Sequence, residues 1–430
     1  FKQFESSFYK LTALNLDPVA EKLKPLYSST GRPACLQAEI FRSFILMMDL
    51  NFTSLTNWVK FIQSDTIIKA LIGCNQSTPS LGAHYDFINR LWLNKQSRTK
   101  RLLPYNRNFT KGKKPAANAK LPNKKTGSGE KMTTFLLKGR LFSKRPEKLL
   151  QELFDLVAVQ PSLELGLIPK EELTLSGDGT AVHCHSSKYG VKVCNCKNEG
   201  IFDCKCDRRF PDTDARIGWD SSPAVWYYGY TLYTLTIYNP KYKIDLPVCL
   251  RFVGANRHDS ITGIVTLAEL RSLTPELKVL NLCLDSANDN YPTYELCNEW
   301  NIRPFIDLNR KRGTVAKYPI HLSINEYGIP TCAGGHLMVH NGYCKGRRRH
   351  KWRCPLKCKK LDDCSMKSVC SPSEYGRVIY TKSDWDIRLF TPVPRGSKTY
   401  KEIYKQRTSC ERMNNRILND YKLLMKNIGE

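Results

Sequence analysis

Hydrophobic patterns typical of strands and helices alternate between residues 172 and 308, and this alternation limits the fold more than any other feature. Strand patterns are rich in β-branched, aromatic and aliphatic residues, whereas helical patterns repeat every three to four positions. The predicted elements are strands at 173–182, 225–238 and 246–253, a helix at 259–273, a strand at 277–284, a helix at 291–300 and a strand at 304–308. Three neighbouring strands followed by helix, strand, helix and strand predict a mixed α/β sheet.

The remainder of the chain divides into four pieces around this sheet. Helical spacing at 35–49, 55–72 and 81–93 predicts a small helical bundle over 1–94. Such a bundle either contacts DNA or only packs on its neighbour. A linker is predicted over 95–145, a Cys/His-rich insert over 310–384, and a final helix over 400–425. The sheet domain then comprises 146–309 and 385–430.

The charge of the chain points to a polyanionic partner. Lys and Arg number 67 against 40 Asp and Glu, a net charge of +27, which attracts nucleic acid or an anionic membrane surface. No apolar stretch approaches the roughly 18 residues that span a bilayer, so we expect no membrane partner. The chain opens on Phe1 without a signal-peptide pattern. We therefore expect a missing native start and a cytoplasmic location.

More than half of the excess charge lies in the linker. Sixteen of its residues are Lys or Arg, and Glu130 is its only acid, which gives +15. Few apolar residues and several Pro and Gly predict a flexible basic segment. It is either a solvated tether or a tether that follows phosphates, with Lys113, Lys114, Lys124 and Lys125 as contacts.

Ten of the 17 cysteines fall into two groups, at 194–206 and 332–370. Cys194 and Cys196 are separated by seven residues from Cys204 and Cys206, a spacing that could close a four-thiolate zinc site. Four reduced thiols on a variable loop are the alternative. The second predicted set is Cys354, Cys358, Cys364 and Cys370. In the same insert, Arg347, Arg348 and Arg349 stand near Trp352, a mixture suited to phosphates and an unstacked base, or simply a solvated charged run.

Three acids stand where they could carry chemistry. Asp178 lies between two glycines at the polar end of a predicted strand, and Asp285 closes another strand. Asp285 could equally cap the next segment, and Asp289 is its rival. Glu411 is predicted to share a helical face with Tyr404 and Arg407.

These motifs resemble those of the DDE transposases of bacterial insertion sequences. The similarity rests on Gly-Asp-Gly-Thr at 177–180, Leu-Asp-Ser at 284–286, and Tyr-x2-Arg-x3-Glu at 404–411. Asn-Arg-His-Asp-Ser at 256–260 and Gly-Arg-Pro at 31–33 are also similar to family motifs. One departure is Leu418, where the family often has Lys seven residues after the Glu.

The resemblance implies a ribonuclease H-like, retroviral-integrase-like catalytic domain with Asp178, Asp285 and Glu411 as its acidic triad. It implies two Mg²⁺ or Mn²⁺ ions, Asp178 bridging both, with Arg407 and Tyr404 on DNA phosphates. The expected reaction is cleavage of double-stranded DNA at the element's terminal repeats, followed by strand transfer of the 3′-hydroxyl to target DNA. The expected assembly is a homodimer on DNA in a bacterial nucleoid. A catalytically inactive, DNA-binding relative is the alternative, and an RNA-cleaving nuclease is a more remote one.

Overall fold

The structure, a computed structural model, describes residues 2–30, 36–74, 77–93, 102–109, 126–140, 146–221, 223–309, 318–421 and 423. The strands are β1 (Leu102–Leu103), β2 (Leu173–His183), β3 (Val191–Lys192), β4 (Arg208–Arg209), β5 (Arg216–Asp220), β6 (Val225–Asn239), β7 (Ile244–Gly254), β8 (Val279–Leu284), β9 (Arg303–Ile306), β10 (Val339–Cys344), β11 (Arg349–Arg353) and β12 (Val378–Lys382). The helices are α1 (Glu5–Thr12), α2 (Asp17–Leu23), α3 (Gln37–Asp49), α4 (Leu55–Ser64), α5 (Thr66–Ile72), α6 (Leu81–Leu91), α7 (Ser128–Leu137), α8 (Pro146–Phe154), α9 (Gln160–Glu164), α10 (Asp259–Leu273), α11 (Tyr291–Glu299), α12 (Lys398–Tyr404) and α13 (Thr408–Asn415). None of these helices is long and apolar enough to cross a membrane.

A six-stranded mixed sheet is the centre of the fold. The sequence predicts a mixed sheet with five of these strands and does not predict β5. Its longest strand, the 15-residue β6, pairs antiparallel with β2 on one side and with β5 and then β7 on the other. β8 joins β2 in parallel, and β9 joins β8 in parallel. The main order is therefore β7-β6-β2-β8-β9. The parallel strands require crossovers, which α10 and α11 supply, and the alternation of strand and helix patterns follows from them.

The two faces of this sheet carry different side chains. Leu175, Tyr233, Leu235 and Leu282 belong to the main hydrophobic core beneath α10 and α11. On the opposite face, Thr234 donates a hydrogen bond of 2.9 Å to Asn414 of α13. Successive strand residues alternate between faces, so β2 and β6 present an apolar face to α10 and α11 and a polar face to α13.

The amino-terminal helices form two hydrophobic clusters. One contains Trp58 and Ile62 of α4, and the other contains Phe87 of α6. Leu149 and Leu153 of α8 complete the second cluster, which the sequence did not predict. The side chain of Gln151, also in α8, accepts a hydrogen bond of 2.7 Å from a β7 amide, so α8 connects the helical unit to the sheet.

Two described pieces of the predicted linker have regular structure. β1 adds a short antiparallel strand to β4, and α7 packs against α10 and α11. Thr133 of α7 donates a hydrogen bond to the carbonyl of Pro292 at the start of α11. These pieces differ from the predicted flexible linker because each one docks on a surface far away in sequence, which composition alone does not reveal.

The Cys/His-rich insert forms a three-stranded antiparallel sheet of β10, β11 and β12 between β9 and α12. Its small core contains Met338, Trp352 and Ile379, and the Trp352 indole donates to the Thr381 hydroxyl at 2.9 Å. The insert is thus a structured outgrowth of the sheet domain.

A buried ion pair fastens the chain where it returns from the insert. Arg388 donates two hydrogen bonds to Asp289, at 2.6 and 3.1 Å, and the two side chains are 4% and 0% exposed. Asp289 also accepts from the Tyr294 hydroxyl at 3.0 Å and from the Asn309 amide at 2.8 Å. These contacts give Asp289 a structural role that its proximity to Asp285 in sequence does not indicate.

We expect Asp289→Asn to lower the free energy of unfolding by about 3 to 5 kcal/mol, because Arg388 would keep a buried charge without its counterion. Urea unfolding at neutral pH measures this loss. Glu402→Gln is the control: Glu402 pairs with Lys398 at 3.7 Å on the surface of α12, and its removal should change stability by less than about 0.5 kcal/mol. Equal effects of the two substitutions would contradict a structural role for Asp289.

Candidate active site

Strand register brings Asp178 and Asp285 side by side. In the parallel pair of β2 and β8, Leu175 lies opposite Leu282, and Ser176 lies opposite Cys283. Continued by two residues, this register sets Asp178 beside Asp285, which directly follows the last residue of β8. Two acids more than 100 positions apart in sequence therefore become neighbours at the point where β8 ends beside β2.

Asp285 caps the short helical turn that follows β8. Its Oδ1 accepts hydrogen bonds from the Ala287 amide at 3.1 Å and from the Asn288 side chain at 2.8 Å. The capping interpretation is therefore confirmed. Capping engages Oδ1 and fixes the orientation of the carboxylate beside Asp178.

Asp178 lies in the middle of β2 and not at its end, which corrects the sequence prediction. β2 continues to His183 because the long β6 goes on pairing with it, whereas β8 has already ended. The Asp178 Oδ1 accepts from the Gly179 amide at 3.0 Å. At Asp178, β2 therefore loses its pairing partner only on the side of β8, while its pairing with β6 continues.

Asp259, the first residue of α10, is a further acid, which lies on the α10 face of the sheet beside Gly179 and whose charge reaches Asp178. A Cβ added to Gly179 would lie 2.6 Å from the Asp259 Oδ1, so only glycine leaves room for that carboxylate. In the sequence, Asp259 stands out only as part of the Asn-Arg-His-Asp-Ser stretch, because an acid in the first turn of a helix is ordinarily a favourable helix-dipole contact. The glycine at 179 provides the space that the Asp259 carboxylate occupies.

Burial and the charges of neighbouring acids raise the pKa values of Asp178 and Asp259. The pKa of Asp178 rises to about 7, first because of burial and then because of the negative charges of Asp285 and Asp259. The pKa of Asp259 rises to about 6 for the same reasons, burial first and Asp285 second. The nearby Arg407 partly offsets the shift at Asp178. The site therefore holds more negative charge than its neighbours neutralise.

Glu411 faces Arg407 across one turn of the last helical segment. Its Oε1 lies 2.6 Å from the Arg407 Nη2, and its side chain is 44% exposed. Arg407 stands in a 3-10 turn between α12 and α13, which replaces the single continuous helix predicted there. The Tyr404 hydroxyl donates to Asp307 Oδ2 at 2.7 Å. In this arrangement Arg407 pairs with Glu411 and its charge also reaches Asp178, and Tyr404 is held by Asp307.

A tight group of metal-ligating atoms occurs elsewhere in the molecule. In the described part of the chain, Cys194, Cys196, Cys204 and Cys206 are the only set of three or more His, Cys, Asp or Glu whose ligand atoms all lie within 4.8 Å of one another. The predicted quartet is thus brought together and could hold a metal such as zinc. Asp178, Asp285 and Glu411 do not approach one another this closely as a set.

The second predicted cysteine set does not form a comparable group among the residues described. Cys358 lies in a turn that begins at Cys354, and Cys370 lies in a separate turn that begins at Met366. Cys364 instead lies near Gly334, whose added Cβ would be 2.9 Å from its sulfur. Cys354, Cys358, Cys364 and Cys370 therefore do not make the single site proposed from their spacing.

The structure describes only some of the residues that were predicted to contact DNA. Arg347 is exposed at the turn between β10 and β11, while Arg348 lies 3.3 Å from Asp384, and Arg349 lies over the Tyr380 ring at 4.0 Å. The Lys113, Lys114, Lys124 and Lys125 contacts and the Gly-Arg-Pro motif at 31–33 fall outside the described residues. Of the three predicted arginines, Arg347 is the one that is exposed, while Arg348 and Arg349 are half-buried.

No protein-family model matches this chain, and no curated protein matches it either. Its geometry defines a mixed α/β protein with an acidic site at the junction of two parallel strands and a separate group of four cysteines.

The raised pKa of Asp178 predicts a pH-dependent stability in the absence of divalent metal. The folded state holds the proton more tightly than the unfolded chain, whose Asp pKa is 3.8, so the free energy of unfolding falls as pH rises from about 4 to about 7. Asp178→Asn removes this ionisation. We expect the variant to be more stable than the wild type by about 1 to 3 kcal/mol at pH 8, and by much less at pH 5.

Thermal or urea unfolding in the presence of a chelator at both pH values measures this difference. The control is Asp17→Asn, because the Asp17 side chain is 88% exposed. That variant should differ from the wild type by less than about 0.5 kcal/mol at both pH values. A stability of Asp178→Asn below that of the wild type at pH 8 would show that burial and repulsion do not dominate at this site.

Proposed function

We propose that this protein is a DNA transposase of the DDE class with a ribonuclease H-like catalytic domain. The observation that carries the proposal is the pairing of Asp178 and Asp285 at adjacent parallel strands, where their charges are poorly compensated. The order β7-β6-β2-β8-β9, three antiparallel strands followed by two parallel ones, supports the ribonuclease H-like assignment. The Tyr404, Arg407 and Glu411 motif on the helices across the polar face supports the transposase assignment.

The proposed reaction is metal-dependent cleavage of DNA at the ends of an insertion sequence, followed by attack of the freed 3′-hydroxyl on target DNA. Two divalent ions, Mg²⁺ or Mn²⁺, would stabilise the charge on the attacking and leaving oxygens of the phosphodiester. Asp178 would hold both ions, and Asp285 and Glu411 would hold one each. A hard divalent cation would offset the burial and the like charges that raise the pKa of Asp178.

The protein side of this reaction centres on Arg407. In the metal-free arrangement its guanidinium neutralises Glu411, with which it forms an ion pair of 2.6 Å. Release of Glu411 toward the acidic site would free that guanidinium for a phosphate oxygen, to which arginine can donate two hydrogen bonds. Tyr404, bonded to Asp307, would position the turn that carries Arg407.

The remaining features fit a double-stranded DNA partner and a homodimer assembled on it. The net charge of +27 favours a phosphate backbone, and the exposed Arg347 adds a cation on the insert. Zinc is the metal proposed for the cysteine quartet, since it is commonly bound by four thiolates. The proposed location is the cytoplasm, at the nucleoid.

The acidic residues can be tested one at a time. We expect Asp178→Asn, Asp285→Asn and Glu411→Gln each to slow Mg²⁺- or Mn²⁺-dependent cleavage of DNA carrying the parent element's ends by at least about 100-fold. Asparagine at 285 can still cap the turn after β8, so a loss of cleavage there reports the charge and not the fold. Gel analysis of end-labelled DNA measures the rates.

Glu402→Gln on the exposed side of α12 serves as the control and should cleave at the wild-type rate. DNA affinity, measured on the same variants, should remain within a few-fold of the wild type. Wild-type protein that binds the ends without cutting them in either metal would instead favour a DNA-binding protein. Cleavage of RNA in place of DNA would favour a nuclease.

A further inference from the structure

The cysteine quartet lies on a loop that has little else to hold it. The loop runs from β3 to β4, over residues 193–207. Its apolar side chains Ile201 and Phe202 are 51% and 65% exposed, so they do not form a core. The turn at 195–201 has a few backbone hydrogen bonds of its own. A segment with so little burial needs another source of order.

The sulfur geometry fits a metal better than it fits disulfides. Cys194 and Cys204 sulfurs are 3.5 Å apart, and Cys196 and Cys206 sulfurs are 3.6 Å apart. A disulfide requires about 2.05 Å. Four thiolates at about 2.3 Å from a tetrahedral zinc ion would be about 3.8 Å apart. The quartet therefore needs only a small adjustment to enclose zinc.

The base of this loop also receives part of the basic segment. β1 pairs with β4, and β4 pairs with β3, so the three short strands form one sheet. β4 begins two residues after Cys206, and β3 ends two residues before Cys194. Closing the loop around a metal would fix β3 and β4 against each other and preserve the edge on which β1 docks.

Further contacts attach the residues that follow β1 to the same base. Arg107 donates to the carbonyl of Thr213, and its guanidinium lies over the Phe210 ring at 5.0 Å. Asn108 donates to the Lys188 carbonyl at 2.8 Å. The Phe109 ring stacks on Tyr189, with centroids 5.1 Å apart. Residues 102–109 thus touch both arms of the loop's base.

We infer that the quartet is a structural zinc site whose function is to anchor the basic segment, through residues 102–109, to the sheet domain. The segment carries lysines and arginines on both sides of this anchor. Zinc occupancy would therefore determine whether residues 102–109 stay docked on the sheet domain. The inference builds on zinc at the quartet, and it holds whether or not the chain cuts DNA.

The test compares the full-length wild type with the double variant Cys196→Ser/Cys206→Ser, which cannot close a four-thiolate site. Metal analysis should show a loss of about one zinc ion per chain relative to the wild type. Hydrogen exchange in peptides covering 102–109 should become about tenfold faster or more, because β1 would lose its partner edge. Exchange in β8 should not change, which shows that the central sheet is intact.

Two matched variants separate the metal from the docking contacts. Cys344→Ser, at an exposed cysteine at the end of β10, should keep both the zinc content and the exchange of the wild type. Phe109→Ala should keep the zinc and still speed exchange at 102–109, because the stacked Tyr189 contact is lost. If the double variant fails to fold, removal of zinc from the wild type with a chelator must produce the same acceleration.

Equal zinc content in the wild type and the folded double variant would overturn the metal site. If zinc is lost, in the variant or after chelation, but hydrogen exchange at 102–109 does not change, the anchoring role is overturned. The zinc site itself would still be supported. Neither outcome bears on DNA cleavage, so failure here is distinguishable from failure of the proposed transposase activity.

Discussion

The pairing of β2 with unequal neighbours is the interaction on which the rest of the structure depends. On one side β2 keeps its antiparallel partner β6 along nearly its whole length, and on the other its parallel partner β8 stops at Leu284. The backbone of β2 is therefore secured by β6 at the point where the β8 side opens. A carboxylate at Asp178 can be held rigidly in the sheet and still face the space that Asp285 enters.

This rigidity has an electrostatic cost. Burial and neighbouring acids disfavour the charged forms of Asp178 and Asp259. These carboxylates therefore raise the free energy of the folded state at neutral pH and work against stability. The compensation lies elsewhere, in the hydrophobic core beneath α10. A strained acidic site supported by a well-packed scaffold is typical of functional sites.

The sequence predicted the central elements well, because their hydrophobic patterns depend on local periodicity. The helix predicted at 259–273 has the same bounds in the structure, and the predicted strands agree within a few residues. Features that depend on distant partners were not predictable. β1 and α7 are ordered by surfaces more than 100 residues away, and Asp259 joins the site only because Gly179 leaves it room. The same dependence on distant contacts explains why one predicted cysteine group is brought together and the other is not. The first group lies on one short loop, whereas the second spans separate turns whose positions local spacing does not determine.

The protein combines a strongly basic chain with a locally acidic site. A phosphate group could approach both only if cations were also present. The chain as a whole, and the segment anchored at 102–109 in particular, attracts phosphate. The site at Asp178 and Asp285, by contrast, repels it, since like charges at short range oppose each other strongly where water is excluded. A phosphodiester drawn in by the basic surface would stop short of the acids unless cations lay between them. If the proposed function holds, divalent metal would relieve the repulsion among the acids, and the same site could then bind phosphate.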